Sequence, residues 1–374
     1  MTAEIGRIVW VSWIPMTGRQ GGGGTYSRSM AESFRRAFPE AEFVEFAHNR
    51  TKGGTLVAKA KAVAMLWSPW PAKVRYGRCQ TVIERLRSLQ DDGRRTLVVL
   101  DSSESLSFLG EVPGFCETVH LSHNVDWILY EDRIRRMGPL AGVVARIGGE
   151  VPKFRSMELN GIRSVGHLVS ISSDDVARFA RQTGRPHPRA TSIPPVFHYA
   201  PAAGEAVDGR RNVSFLADYR WPPNAEGIAR FIERCWDPSR GWRLNLYGIE
   251  SERFADTSRN IHSMGYVEDI SDVWNATDVM IAPIWIGGGI NIKTCEAIFN
   301  RVPMVATEFA LRGLPGWIRD EVGPVEDDGK WMDSIEKAAR PSQAASDYFS
   351  GERAVAAIRS LLGHGIQASS KEAA

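Results

Sequence analysis

Short runs of consecutive apolar residues alternate along this chain with stretches whose apolar positions recur every three or four residues. The first kind of run reads as a strand buried on both faces, the second as a helix with one face on a core. Residues 7–14 predict a first strand, and a glycine run at 21–24 follows it. Tyr26, Met30, Phe34 and Phe38, four apart, then predict a helix. Val82, Ile83, Leu86 and Leu89 mark another, and residues 96–100, 118–121 and 167–171 read as further strands. Ser172 followed by Asp174 and Asp175 offers a helix N-cap with acids in the first turn.

The pattern is interrupted at residues 199–211, YAPAAGEAVDGRR, which are small and polar without periodicity and read as a linker. Alternation then resumes. Strands are predicted at 212–216, 243–247, 278–284 and 303–307. A helix after Pro222 and Pro223 carries Ile228, Phe231, Ile232 and Cys235 on one face. A last helix over 344–362 presents Val355, Ile358, Leu361 and Leu362. Strand–helix alternation on both sides of the linker predicts two doubly wound α/β domains, residues 1–200 and 201–343, followed by a C-terminal helix and tail at 344–374. Ligands in such sheets bind beyond the carboxyl ends of the strands, so a cleft there is the expected site.

Composition narrows the classes. The 374 residues are 43% apolar and 24% charged, ordinary globular usage. The longest uncharged apolar run, residues 279–286, is far short of the roughly 20 residues that cross a bilayer. The apolar run at 8–14 follows the acidic Glu4 and lacks a small-residue cleavage pattern, so a core strand is expected there and not a signal peptide. The four cysteines, Cys79, Cys116, Cys235 and Cys295, form no CxxC pair, which argues against a zinc site or a disulfide framework and for a reducing cytoplasmic setting. Charge is uneven: residues 1–200 carry 27 Lys and Arg against 19 Asp and Glu, and residues 201–374 carry 19 against 25. The first half could face an anionic partner or simply carry solvated arginine. There is no basic run, so nucleic-acid binding is not expected.

The most informative segment is 282–307, APIWIGGGINIKTCEAIFNRVPMVAT. A strand ends near Ile284, Gly287, Gly288 and Gly289 follow, and a helix opens near Asn291. Glycines permit close backbone approach, and a helix N-terminus presents open N–H groups with partial positive charge, an arrangement suited to phosphate oxygens. Lys293 in the first turn adds a full charge, and Glu296, three residues on, could accept hydrogen bonds from two ribose hydroxyls.

This segment resembles the donor-site segment of retaining nucleotide-sugar glycosyltransferases of the GT-B fold, the family 4 or "group 1" class. Pro283, Gly287, Gly289, Ile290, Asn291, Ile292, Lys293, Glu296 and Ala297 match the pattern P-x-x-x-G-x-G-I-N-I-K-x-x-E-A. Other members carry E-x7-E, and the position of its first Glu is Gly288 here, which shifts the sugar contacts toward backbone amides. Ser214 to Ala217 with Arg220, Pro223 and Asn224 is similar to the strand–loop–helix that opens the family's second domain, and the resemblance places Arg220 on the donor diphosphate. The block from Gly265 to Pro283 resembles G-x-V-x-D-I … A-D-V-x-x-A-P, which implies that the backbone at Tyr266 and Val267 meets the nucleotide base. Val169 to Ser172 with Asp175, and His123-Asn124-Val125-Asp126, resemble V-x-S-x-x-D and H-N-V-E.

The resemblance implies two Rossmann-like domains facing across a cleft, with the C-terminal helix returning to the first. It implies transfer of a sugar from a UDP- or GDP-linked donor to an acceptor hydroxyl with retention, in polysaccharide, glycolipid or glycoconjugate synthesis. It also implies lipid-linked or protein acceptors and peripheral contact with the inner membrane face. No D-x-D motif is present, so no metal or cofactor is expected; lysine, arginine and amides would stabilise the leaving diphosphate. In the first half, Gly22, Gly23, Gly24 and Tyr26 are expected at a loop near the acceptor or the phosphates. The run lacks the setting of a nicotinamide fingerprint. His123, after strand 118–121, is the titratable group expected to act on a sugar or acceptor hydroxyl; His120 is expected in the core, and Asp101 is a further candidate. The segment 66–78, LWSPWPAKVRYGR, joins aromatics to basic residues and suits a membrane interface or a sugar platform. Two other readings stay open, a nucleotide-sugar epimerase-like enzyme and a catalytically silent nucleotide-sugar-binding partner.

Overall fold

The computed structural model describes residues 4–13, 16, 22–47, 68–75, 78–136, 138–202 and 211–363. The chain divides into two compact units, Met1–Pro194 with Ala354–Ala374, and Pro195–Arg353.

The first unit is built on a parallel sheet of six strands, β1 (Ile5–Ser12), β2 (Glu42–Ala47), β3 (Arg95–Asp101), β4 (Glu117–Ser122), β5 (His167–Ser170) and β6 (Ala190–Ser192), in the order β2-β1-β3-β4-β5-β6. Val9 of β1 sits between Val44 of β2 and Val98 of β3, and Val99 pairs with Val119 of β4. Both faces are covered, which is why these strands read as unbroken apolar runs. Val9, Val11, Val98 and Leu100 pack with Val82, Ile83 and Leu86 of helix Gln80–Arg87. Alternation turns Trp10 to the other face, where it meets Phe34 of helix Gly22–Ala37 edge-on with ring centroids 5.7 Å apart.

The chain's last helix, Gly351–Gly363, joins this unit from Ala354 onward. Arg359 donates to the carbonyls of Ala37 and Arg36 at 3.0 Å each, filling acceptors that the end of helix Gly22–Ala37 leaves open. Arg95 donates to the carbonyl of Leu362 at 2.9 Å. The single helix expected over 344–362 is two, Gln343–Tyr348 and Gly351–Gly363. Between them the fully buried Phe349 accepts from the amide of Phe197, and Ser350 bridges Phe197 in parallel. A strand-like pairing has displaced one turn of helix.

The second unit holds a parallel five-stranded sheet, β7 (Asn212–Leu216), β8 (Arg243–Tyr247), β9 (Ile261–Gly265), β10 (Val279–Ala282) and β11 (Met304–Ala306), in the order β11-β10-β7-β8-β9. Met280 pairs with Ser214 and Ile281 with Val305. The chain runs outward from β7 to β8 and β9, then returns to its other side for β10 and β11. This is the nucleotide-binding order of doubly wound sheets, and its switch point lies between β7 and β10. Helix Pro222–Arg234 packs closely over that point. A Cβ added at Gly227 would stand 2.0 Å from the carbonyl oxygen of Pro283, so only glycine allows this approach.

The expected linker differs from what is observed. Its start, residues 199–202, is part of the second unit: Tyr199 packs edge-on against Phe299 with centroids 5.3 Å apart. Residues 203–210 lie outside the described residues. Among the described residues no helix is long and apolar enough to cross a membrane.

Candidate functional site

At the switch point of the second sheet, the turn after β10 contains the three glycines. Gly287 has φ of +130° and Gly289 has φ of +65°. Side-chain-bearing residues rarely adopt these angles, so the turn's path depends on glycine. The helix Ile292–Phe299 opens directly after it. Its N-cap, Asn291, makes no side-chain cap hydrogen bond, and its first turn holds no acid. The leading N–H groups therefore lack a side-chain acceptor from the cap, and their positive end suits an anion. Ile290 leans on the core beside the turn.

Arg312 braces this turn from behind. It donates to the carbonyl of Gly288 at 2.5 Å and to that of Phe309 at 2.6 Å, with its guanidinium 4.0 Å from the Phe309 ring centroid. Holding the Gly288 carbonyl orients the peptide planes of the turn. Nothing in the local sequence ties Arg312 to the turn, since the Gly288 oxygen it holds there is 24 residues away.

Lys293 donates to Oδ1 of Asn224 at 2.9 Å and lies 4.5 Å from the Phe215 ring centroid. Burial pushes its pKa down to about 7, against the opposing charge of Asp218. Asn224 in turn donates to the carbonyl of Asp218 at 2.8 Å. Arg220, expected on a diphosphate, lies exposed after β7 and grips Asp218 with two hydrogen bonds of 2.9 and 2.6 Å. Asp218 thus links both cations, and sequence reading passed over it. Its signal is local, an Asp two residues before an Arg at a strand's carboxyl end.

Glu296 is buried, and Oε1 accepts from the hydroxyl of Tyr199 at 2.8 Å. Burial raises its pKa to about 7, with the hydrogen bond from Tyr199 holding it lower than burial alone would. Asn300 completes the group, donating to the Tyr199 hydroxyl at 3.2 Å and accepting from the amide of Ala202 at 2.8 Å. Tyr266 stands 45% exposed after β9, and Val267 packs partly on the core.

The first unit holds a separate polar group at the carboxyl ends of β3 and β4. Nε2 of His123 lies 2.7 Å from Oδ1 of Asp101, and Oδ2 of Asp101 accepts from Nε1 of Trp10 at 3.2 Å. Burial works to lower the His123 pKa, but the charge and hydrogen bond of Asp101 outweigh it and the net shift is upward. Tyr26 meets the imidazole edge-on, centroids 5.1 Å apart. The other ring nitrogen, Nδ1, faces the glycine turn, where a Cβ on Gly23 would lie 3.7 Å away.

Two expectations change here. Gly22, Gly23 and Gly24 form the first turn of helix Gly22–Ala37 and not a loop ahead of it, while Gly21 lies outside the described residues. Tyr26 is fully buried and its hydroxyl donates to the carbonyl of Ile193 at 2.7 Å, so it is a core residue that packs against the imidazole. The helical spacing that signals Tyr26 as apolar outweighs its polar tip. His120 is buried, with Nδ1 3.0 Å from the carbonyl oxygen of Leu100, and burial lowers its pKa to about 4.

The aromatic and basic segment 66–78 is only partly described, Leu66, Trp67, Tyr76 and Gly77 lying outside. Two of its described cations are engaged internally: Lys73 pairs with Glu104, and Arg78 with Glu111.

Comparison with known proteins bears on family and fold. Residues 210–340, the span of both switch-point loops, match the sequence family described as Glycosyl transferases group 1. No curated protein sequence matches the chain. Among solved structures, sucrose-phosphate synthase from Thermosynechococcus elongatus is similar at 11% identity and a TM-score of 0.62, covering 95% of this chain and 98% of its own. HepE from Anabaena, solved in complex with UDP and glucose, is similar at 13% identity and a TM-score of 0.57, covering 96% and 99%. WaaG, a glycosyltransferase involved in lipopolysaccharide biosynthesis, is similar at 14% identity and a TM-score of 0.56, covering 93% and 94%. The chain has the GT-B fold, two Rossmann-like α/β units.

Proposed function

We propose that the protein is a glycosyltransferase that moves a sugar from a nucleotide-diphosphate donor to an acceptor hydroxyl with retention and without a metal. The observation that carries this reading is the convergence, at one switch point, of the glycine turn, the open helix N-terminus and the half-buried Lys293. Diphosphate oxygens are met by the N–H groups at Asn291 to Lys293, by the Lys293 ammonium and by Arg220 released from Asp218. Backbone at Gly287 to Ile290 approaches the sugar, Glu296 takes the ribose hydroxyls, and the base lies along Tyr266 and Val267.

The bond between the sugar's anomeric carbon and the diphosphate oxygen breaks, and positive charge develops on the sugar. Fixed donors stabilise the departing diphosphate more than the bound ground state, which is the source of rate. The acceptor oxygen attacks from the same face, and its proton passes to the leaving phosphate oxygen. His123 holds an acceptor or sugar hydroxyl. Support for a nucleotide-sugar donor comes from the family matched over residues 210–340 and from HepE, solved with UDP and glucose. The acceptor is a hydroxyl on a glycan, glycolipid or glycoconjugate.

One observation favours a second stereochemical reading. The 2.7 Å pairing of His123 with Asp101 is the arrangement of a general base with its orienting carboxylate. Were His123 to take the proton of an acceptor attacking the face opposite the departing diphosphate, the product would be inverted. The deciding experiment offers UDP-, GDP- and ADP-sugars to the wild type and to Glu296→Ala, measuring binding by calorimetry and the anomeric configuration of released or transferred sugar by NMR. One donor bound tightly and lost in the variant, with retained configuration, is the expected result. Inverted product supports the His123 reading, and no binding of any donor removes the donor site.

A further inference from the structure

Glu158 of helix Glu150–Ser164 is fully buried, and its carboxylate reaches two other segments of the first unit. Oε1 accepts from the hydroxyl of Ser103 at 2.6 Å and from the amide of Asp126 at 3.0 Å, and Oε2 accepts from the amide of Trp127 at 3.1 Å. Asp126 and Trp127 open helix Asp126–Arg135. The residue at that helix's N-cap is Val125, whose side chain cannot accept a hydrogen bond, so the leading amides have no cap of their own. A carboxylate from a different helix does the capping, and its charge suits the positive end it meets. The third donor, Ser103, is the first residue of the tight helix Ser103–Glu111 that follows β3.

These contacts flank the polar pair at the ends of β3 and β4. Asp126 stands shortly after His123 in the chain, and Ser103 shortly after Asp101. Between Asp101 and Ser103 lies Ser102, with φ of +73° and ψ of 160°, a backbone region that residues other than glycine rarely enter. Such strain persists only where the surroundings fix the chain on both sides. On one side the Ser102 amide donates to the carbonyl of Leu121 at 3.0 Å, and the Ser105 hydroxyl donates to that of Asp101 at 2.6 Å. On the other side Glu158 holds the Ser103 hydroxyl. Besides Asp101, the carboxyls of Asp126 and Glu104 face His123, and Lys73 pairs with Glu104. Burial, with the charge of Asp126, pushes the Glu158 pKa up to about 8, against its hydrogen bonds from Ser103, Trp127 and Asp126.

We propose that Glu158 is a positioning residue for the His123–Asp101 pair: one carboxylate fixes the segment after β3 and the segment after β4, and so sets the 2.7 Å contact between imidazole and carboxylate. What the pair then does to a hydroxyl rests on the transferase reading; the positioning is a property of the first unit alone. The role needs both the length and the two acceptor oxygens of glutamate. Aspartate keeps the charge but is one methylene too short to span Ser103 and both amides. Glutamine keeps the length but turns an N–H group toward donors that need an acceptor.

The test is an NMR titration of the histidine ring protons in the full chain without ligand, the His123 signal being assigned by its loss in His123→Gln. In Glu158→Asp and in Glu158→Gln the His123 midpoint should fall by about 0.5 pH or more, because a looser contact with Asp101 favours the charged imidazole less. His187 and His262, which lie away from the pair, should titrate as in the wild type. Ser103→Ala leaves the Glu158 charge in place, frees one of the two segments, and should lower the His123 midpoint as well. A midpoint unchanged in both Glu158 variants overturns the proposal. One lowered by glutamine and not by aspartate assigns the effect to charge alone and overturns it too, as does a shift shared by His187 and His262, which would mark a general loosening. Should neither Glu158 variant fold, Ser103→Ala decides, and an unchanged midpoint there overturns the proposal. The titration needs neither donor nor acceptor. Failure to bind any nucleotide sugar would therefore remove the transferase reading and leave this one standing, and an unmoved His123 would do the reverse.

Discussion

The hydroxyl of Tyr199 donates a 2.8 Å hydrogen bond to Oε1 of Glu296 and so ties the segment that opens the second unit to the helix that follows the glycine turn. Tyr199 sits where composition reads as a linker, yet its ring is packed and its hydroxyl also accepts from Asn300. One oxygen of Glu296 is thereby spoken for before any ligand arrives, and its orientation is set in advance.

The Glu296 carboxyl, raised to about 7 by burial, makes stability depend on pH. A carboxyl with a raised folded-state pKa contributes stability that is complete below its ordinary value near 4.5 and is lost as pH rises through about 7. The wild type should therefore lose melting temperature from pH 5 to 8 relative to Glu296→Gln. Tyr199→Phe keeps the ring, removes a donor that lowers the carboxyl's pKa, and should cost about 1 kcal/mol. Thermal melts across that pH range check both, and parallel curves for wild type and Glu296→Gln would exclude the raised pKa.

Lys293, with its pKa lowered to about 7 by burial, should be largely neutral at pH 8 in the free protein. Its folded-state pKa is depressed, so the stability it contributes is present above its ordinary value near 10.5 and is lost as pH falls through about 7. A bound diphosphate would restore the charge. UDP binding at pH 8 should take up about one proton in the wild type and none in Lys293→Met. Calorimetry in two buffers of different ionisation enthalpy reads this directly.

Asp101 holds the raised pKa of His123 against the opposing effect of burial. Asp101→Asn should bring the imidazole's titration down, visible by NMR of its ring protons. The pair's contribution to stability is present below the ordinary histidine value near 6.5 and is lost as pH rises through the raised one. The variant should lose that dependence and, with the Trp10 hydrogen bond also weakened, cost about 1–3 kcal/mol.

Arg312→Ala removes the two carbonyl hydrogen bonds that brace Gly288 and Phe309. At about 1 kcal/mol each, their loss should weaken donor binding roughly tenfold or more. Arg312→Lys should not rescue it, because a single ammonium lacks the planar fork that reaches both carbonyls. Equal affinity in wild type and Arg312→Ala would show that the turn holds its shape unaided.

Much of the scaffold was legible because it is local. The buried runs at 96–100, 118–121 and 212–216 are strands with bounds close to those expected, since sheets covered on both faces demand unbroken apolar sequence. Ser172 caps its helix as its sequence suggests, its hydroxyl accepting from the amide of Asp175 at 3.1 Å. Helices Asp126–Arg135, Pro139–Ile147 and Glu150–Ser164 escaped the pattern because their apolar positions cover narrow or outward faces.

What the sequence by itself determined is the alternation of strand and helix, the glycine turn before an open helix, and the presence of Lys293 and Glu296 in that helix. These depend on backbone preference and spacing within a few residues. Only the tertiary structure decided the order β11-β10-β7-β8-β9, which brings together the loops after β7 and β10, whose strands end 66 residues apart in the chain. It also decided where each polar side chain ends. Lys293 lies on Asn224, Glu296 on Tyr199, and Tyr26 is in the core. The physical reason is that a buried polar group must find its partner wherever packing has put one, and packing is set by contacts remote in sequence.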